Sequence, residues 1–296
     1  MSDHMKFKDL GAIKLGELAF EIGDYTCALA HLFKAYNKLK EYQGDKFEMN
    51  SLMGNLSFKL KESIGRQGDG KSILLYETWK LSKSSFVRGK QCDKSLFLDK
   101  FNKMDRNPIS TETQALFNRG HEFEDFVREN RFPGGTNVKE KVGNFFYFNS
   151  YTKYLTEDSS SNVIYEASII EDEVLVMCDI LVKNEDGKID IFEIKLNTEI
   201  NDAIKSDLAI QYTICQKRFG EQLNSFNLIL RSNEEDQPYK IIDVTDDVSK
   251  LTHEVDRQIA HFKNVLTNQE PIISMGSHCE KPYACDFTNY CETRKS

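Results

Sequence analysis

Apolar and polar positions along the chain follow two rhythms. Over 6–65 apolar residues recur at three- and four-residue intervals, the spacing of helices that bury one face, with a break at Gly44-Asp45. A further helix is expected over 111–131, with Leu116, Phe117, Phe123, Phe126 and Val127 on its apolar side and a Pro133-Gly134-Gly135 stop. Residues 136–170 read as strands around a polar loop at 157–162, with 163–170 extending the sheet. Two stretches rich in β-branched residues, 174–182 and 188–194, flank Glu185-Asp186-Gly187, which suits a three-residue hairpin loop with Gly187 left-handed. A helix over 202–219 bounded by Gly220, strands at 225–230 and 239–243, and an amphipathic helix over 247–266 complete the pattern. Helix, three strands, helix, two strands and helix describe an α/β core with a mixed central sheet flanked by helices.

The N-terminal helices stand apart from this core. GRQGDG at 65–70 combines glycine and polar residues without apolar periodicity, so the expected division is a small all-α module at 1–68 and an α/β domain at 69–296. Gly16, Gly23, Tyr25, Ala28, Leu32 and Ala35 fall at a spacing that resembles one tetratricopeptide helical pair. That resemblance implies a module that docks a protein partner; the alternative is a plain helical extension. Beyond 70, a helix capped by Ser82 or Ser84 is expected to carry Cys92.

With 296 residues, 40% of them hydrophobic, the chain suits one large domain or a domain with an appendage. It contains no run of about 18 apolar residues and no apolar signal core at its start, so a soluble cytoplasmic protein without membrane contact is expected. The opening Met-Ser-Asp-His-Met carries no weight in this reading. A net charge of −8 argues against a general polyanion binder. Between residues 80 and 106, however, eight cations including Lys83 face only Asp93, Asp99 and Asp105, which is either a local basic channel or a solvated helical face. No glycine-rich phosphate loop or Ser-His-Asp motif occurs.

Candidate chemistry lies in the hairpin VLVMCDILVKNEDGKIDIFEIK. With Asp186 at the loop centre, Asp179 faces Glu193, and the two-residue strand period puts Lys195 on the same side. Opposed carboxylates repel unless a cation lies between them. Two acids and a lysine suit Mg²⁺ or Mn²⁺ acting on a phosphodiester. Asp179, thirteen residues, then Glu193-Ile194-Lys195 resembles the PD-(D/E)XK nuclease signature. Gly120-His121-Glu122-Phe123-Glu124 resembles the RecB-like branch, in which a helix before the sheet brings a further metal ligand four residues after a glycine. The resemblance implies a restriction-endonuclease-like fold, with metal held by Asp179, Glu193, the Ile194 carbonyl and Glu124, His121 and Glu122 competing for the last place. Lys195 would position water, and Gln211, on the following helix, the substrate or the lysine. Relatives often carry a tyrosine four residues after this glutamine, where the chain has Cys215.

Cys279, Cys285 and Cys291 lie at equal intervals of six in a turn-rich tail, and an odd total of seven cysteines points away from a disulfide framework. Three such thiols call for a metal: zinc, with His278 or a distant cysteine as fourth ligand, or iron and sulfur. RecB-like nucleases with an iron–sulfur cluster carry one cysteine before the core and three after it. Cys92 in SKSSFVRGKQC with the trio in PYACDFTNYC is similar to that arrangement, as is FPGG at 132–135 to a domain family of such nucleases. The resemblance covers about 80–292 and implies a structural 4Fe-4S cluster held by Cys92, Cys279, Cys285 and Cys291. Cys27, Cys178 and Cys215 read as core cysteines.

The expectation is a metal-dependent DNA nuclease acting on single strands or ends, in repair, CRISPR adaptation or antiviral defence. The alternatives are an RNA nuclease, or a non-cleaving nucleic-acid-binding adaptor that recruits a partner through its N-terminal helices.

Overall fold

Turn glycines and capping side chains set the element boundaries. The computed structural model describes residues 8–40, 46–68, 70–157, 161–234 and 236–294. The expected break at Gly44-Asp45, the opening pentapeptide and positions 158–160 of the polar loop lie outside the described residues. Two compact units emerge: Met1–Thr78 with Thr136–Ala167, and Trp79–Gly135 with Ser168–Ser296.

The first unit begins with α1 (Lys8–Glu21), α2 (Tyr25–Lys40) and α3 (Lys46–Arg66). Gly23 turns the chain at φ +80°, and Asp24, 1% exposed, caps α2 by accepting the Cys27 N–H at 3.0 Å. Between α1 and α2 a Cβ at Gly16 would lie 2.7 Å from the Leu32 side chain, and Ala28, Leu32 and Ala35 are buried. The small-against-large spacing seen in the sequence is therefore a packing seam.

The stretch 65–70 differs from the expected linker. A Cβ on Gly70 would run into the Gly23 carbonyl oxygen, and both Ile73 and Leu74 donate N–H groups to the second Asp24 carboxylate oxygen at 2.8 Å. Satisfying that buried carboxylate keeps the chain against the helices up to Thr78, so the unit does not end at 68.

The second unit opens with β1 (Leu81–Ser82), α4 (Lys83–Gln91), α5 (Asp93–Phe101) and α6 (Thr111–Arg131). Ser82, and not Ser84, caps α4 through reciprocal bonds with Ser85. On α6 the expected apolar side is core only at Val127. Leu116 and Phe117 are 48% exposed and Phe126 39%, while Val127 and Arg128 are buried, because only the last turns of this helix reach the sheet.

Strands were expected over most of 136–170, yet the chain forms β2 (Thr136–Asn137), α7 (Val138–Val142) and α8 (Phe148–Glu157) before β3 (Val163–Glu171). Asn137 caps α7, Gly143 ends it at φ +66°, and Phe148, Tyr151, Thr152 and Leu155 are buried at helical spacing. The expected strands give way to helix because the buried positions of this stretch recur at the helical period.

Then come β4 (Val174–Lys183), β5 (Ile189–Lys195), α9 (Asp202–Phe219), β6 (Leu223–Glu234) and β7 (Gln237–Asp243). The expected helix over 247–266 is two, α10 (Thr245–Ser249) and α11 (Thr252–Val265), and α12 (Thr288–Thr293) closes the described chain. The seven strands make a mixed sheet in the order β2-β3-β4-β5-β6-β7, with β1 beside β4. β5 runs antiparallel to β4 and parallel to β6. The fold is thus α/β, a mixed sheet flanked by helices, with a helical N-terminal region. Among the described residues no helix is long and apolar enough to cross a membrane.

Candidate active site

The β4–β5 hairpin sets the site. Asn184 donates its N–H to the Lys188 carbonyl at 2.8 Å, Gly187 donates to the Asn184 carbonyl at 3.0 Å, and Gly187 lies at φ +81°, so residues 185–187 form the expected three-residue loop. The pairs Leu181 with Ile191 and Ile180 with Phe192 fix the register, and one step further Asp179 lies level with Glu193. There the Asp179 carboxylate accepts the Ile194 N–H at 2.7 Å, so this side chain takes up a main-chain donor of the neighbouring strand.

Glu193, 1% exposed, is the centre of the group. One of its oxygens accepts from Lys195 at 2.6 Å and from Lys83 at 2.7 Å, and the other accepts from the Gln211 amide at 2.8 Å. Gln211 is fully buried and its own oxygen accepts from Lys83 at 2.8 Å. Asp207, one turn before Gln211 on α9, pairs with Lys195 at 2.5 Å and lies 3.6 Å from Lys83. The two lysine side chains keep 21% and 24% of their surface, so the network opens on one side.

Glu124 comes from α6. Arg128, 8% exposed, bonds to Glu124 one turn away and reaches the Asp179 carbonyl at 3.5 Å, which ties the helix to β4. His121 Nδ1 lies 3.7 Å from Glu124, and its side chain is 71% exposed. A cleft of about 580 Å³ is lined by Glu124, His121, Asp179, Glu193, Ile194 and Lys195, among others. That size lies within the roughly 300–1,000 Å³ of small-molecule sites. Glu122 is exposed and is not among the lining residues.

The electrostatics follow from burial and from this geometry. Burial, then the charges of Glu193 and Glu124, push the Asp179 carboxyl well above its ordinary value. Burial works against charge on Glu193 too, but Lys195 and Lys83 outweigh it and hold that carboxyl low. Both lysines are held above their ordinary values: burial opposes their charge, and Glu193 and Asp207 overcome it. Three cations, Lys83, Lys195 and Arg128, stand against four carboxyls, Asp179, Glu193, Asp207 and Glu124. Fully ionised, the set is one negative charge out of balance, and Asp179 bears the imbalance.

Lys83 and Asp207 were missed as site residues. Lys83 was counted in the basic run of 80–106, for which a channel or a solvated face was expected, and it turns inward at the start of α4. Asp207 had a readable signal, since it precedes Gln211 by four residues on the same helix.

The thiol site is built in the same unit. Cys92, expected on the helix, instead sits in extended backbone between α4 and α5, and Cys279, Cys285 and Cys291 come from the C-terminal segment; all four line one small cavity. Phe287 and Tyr290 pack with Leu98 of α5 as a buried core that Cys285 and Cys291 touch. Burial pushes up the thiols of Cys92 and Cys291, and the neighbouring thiols add to it. As placed, no three of the described His, Cys, Asp or Glu side chains converge tightly enough to grip a single metal ion. Cys178 and Cys215 are buried with sulfurs 3.6 Å apart, and Cys27 is held up to about 12, first by burial and then by Asp24.

No protein-family profile and no curated protein matches the chain. A solved structure described as "Crystal structure of SSO0001" is similar over 83% of this chain and 98% of its own length, at 12% identity and a TM-score of 0.34. That likeness is too slight to carry a conclusion about the site.

Proposed function

We propose that the chain is a metal-dependent nuclease of the RecB-like PD-(D/E)XK class that hydrolyses DNA at single strands or ends. The observation that carries this reading is the convergence of Asp179, Glu193, Lys195 and Glu124, from a hairpin and a distant helix, on one open cleft, with the buried Gln211 of a second helix bonded to Glu193 behind them. A purely structural hairpin gains nothing from setting a half-buried Asp179 beside a buried Glu193. The charge imbalance at Asp179 fits a divalent cation, since such an ion favours the ionised carboxylate that burial penalises. Asp179 and Glu193 would hold it, with Glu124 or His121 and the Ile194 carbonyl completing the set. Loading requires Glu193 to loosen its bonds to the lysines and Glu124 its bond to Arg128. When bound, Mg²⁺ or Mn²⁺ supplies Lewis-acid polarisation of the phosphate.

The chain's own residues do the rest. Water oxygen forms the new bond to phosphorus as the bond to the leaving sugar oxygen breaks; the water proton passes to solvent, and the departing sugar oxygen takes a proton from solvent to leave as a hydroxyl. Lys195, already bonded to Glu193 and Asp207, donates from the edge of the acids to the water or a phosphate oxygen. Gln211 holds Glu193 and Lys83 in register, and Lys83 supplies a second cation beside the phosphate.

At the second site, Cys92, Cys279, Cys285 and Cys291 would hold a 4Fe-4S cluster that binds the tail to α4 and α5. Four thiols from separate stretches around one cavity would suit a cluster whose four irons each take one thiolate. A reducing cytoplasm suits such a cluster.

The test is to purify the protein anaerobically and offer it end-labelled single- and double-stranded DNA and RNA with Mg²⁺ or Mn²⁺. Cleavage of DNA that Lys195→Ala abolishes is expected. Unchanged cleavage in that variant refutes the mechanism, and preference for RNA corrects the substrate.

A further inference from the structure

The segment that carries the thiols also contributes to the acid cleft. Tyr283 lies between Cys279 and Cys285, is 55% exposed, and lines the cleft with Asp179, Glu193 and Lys195. Phe117 of α6, 48% exposed, is the other aromatic side chain among the described lining residues. Two large rings left half open beside the acids contribute less to folding than fully buried ones, because about half of each stays in water. They do offer flat faces at the mouth of a cleft built for phosphate chemistry.

Tyr283 is held from its main chain. The Gln91 amide donates to the Tyr283 carbonyl and to the His278 carbonyl, both at 2.7 Å. Gln91 is the last residue of α4, and the first, Lys83, is bonded to Glu193. One nine-residue helix therefore has its start in the acid network and its end on the thiol-bearing segment. Its length is about 13 Å at a rise of 1.5 Å per residue.

We infer that Tyr283, with Phe117, stacks on an unpaired base next to the phosphate to be cut, and that Gln91 is a positioning residue for Tyr283. The inference rests on the nuclease reading of the cleft. Stacking selects single-stranded nucleic acid because every base has a face to offer once it is free of its neighbours, whereas a duplex keeps those faces covered. The thiol site then has a consequence for substrate grip: what orders the 279–285 segment also orders the ring.

The experiment uses the full chain and a fluorescein-labelled single-stranded oligodeoxynucleotide, with its duplex as comparison. Binding is read by anisotropy in Ca²⁺ and cleavage in Mn²⁺. Tyr283→Ala and Tyr283→Leu are expected to weaken single-strand binding by about 5- to 150-fold, the range of losing one stacked base. Tyr283→Phe retains the ring and restores affinity, and duplex binding moves little in any variant. Gln91→Ala is expected to raise KM more than it lowers kcat. Iron content is measured alongside, and Tyr283→Leu, which keeps the bulk, separates stacking from a disturbed thiol site. Wild-type affinity in both the alanine and leucine variants overturns the inference while the nuclease reading stands. A wild-type protein that neither binds nor cuts any of these substrates overturns the reading itself.

Discussion

Replacing Gln211 by leucine probes the acid network most directly. Gln211 is fully buried, donates to Glu193 at 2.8 Å and accepts from Lys83 at 2.8 Å. Leucine has similar bulk and neither bond. Hydrogen bonds to charged groups contribute about 1.5–3 kcal/mol each, and an oxygen of the buried Glu193 is left unsatisfied, so the two together amount to about 3–6 kcal/mol. Discounting for the open side where Lys83 meets solvent puts the expected loss at about 3 kcal/mol, or roughly 10 °C in melting of a unit this size. Scanning calorimetry gives the melting temperature, and cleavage of end-labelled DNA in Mn²⁺ gives the consequence for activity, expected to fall at least tenfold. Because the lost bonds order Glu193, Gln211→Glu is not a rescue: it sets a second carboxylate against the first. A Gln211→Leu protein that melts within about 1 °C of wild type refutes the bridging role assigned to this amide.

Three other outcomes are expected. Cys285→Ser should lose the brown colour and the absorbance near about 400 nm of an anaerobic preparation that otherwise carries about four irons per chain, and zinc in the wild-type protein would contradict the cluster assignment. Gly16→Leu should destabilise the helical unit by about 1–3 kcal/mol through overpacking against Leu32, visible as faster proteolysis of the α1–α3 region; unchanged protection there would mean that the seam yields. For Asp190, burial raises its carboxyl, but bonds from Asn184, Ser225 and Asn224 outweigh it and hold the folded value below the usual 3.8. Its contribution to stability is therefore fully present above about pH 4 and is lost as the pH falls through the folded value. Asp190→Ala should melt several degrees below wild type at pH 7, and the difference should narrow as the pH falls below about 4. A difference that stays constant with pH would point to packing alone.

The chain determined by itself whatever depends on neighbours in sequence. Gly187 fixes a three-residue loop, the loop fixes the register, and the register sets Asp179 level with Glu193 with Lys195 on the same face; each step is a local geometric consequence. The helix 202–219 was legible to its ends, because Asn201 caps it and Gly220 stops it. At 138–157 the expected strands gave way to helices, because the buried positions follow the helical repeat.

Tertiary structure decided what depends on residues far apart. That Lys83 belongs to the acid network follows from α4 bringing its first residue to Glu193, 110 residues away in sequence. That most of α6 stays open follows from how few of its turns reach the sheet, and that Tyr283 lines the cleft, with its carbonyl bonded to Gln91, is set only by how the C-terminal segment packs. No periodicity records such contacts, since each side chain meets its partner only after the sheet has closed. In the sequence, the acids of the hairpin are visible as a repulsion in need of a cation. The fold supplies the lysines, the arginine and the cleft that show where the imbalance remains.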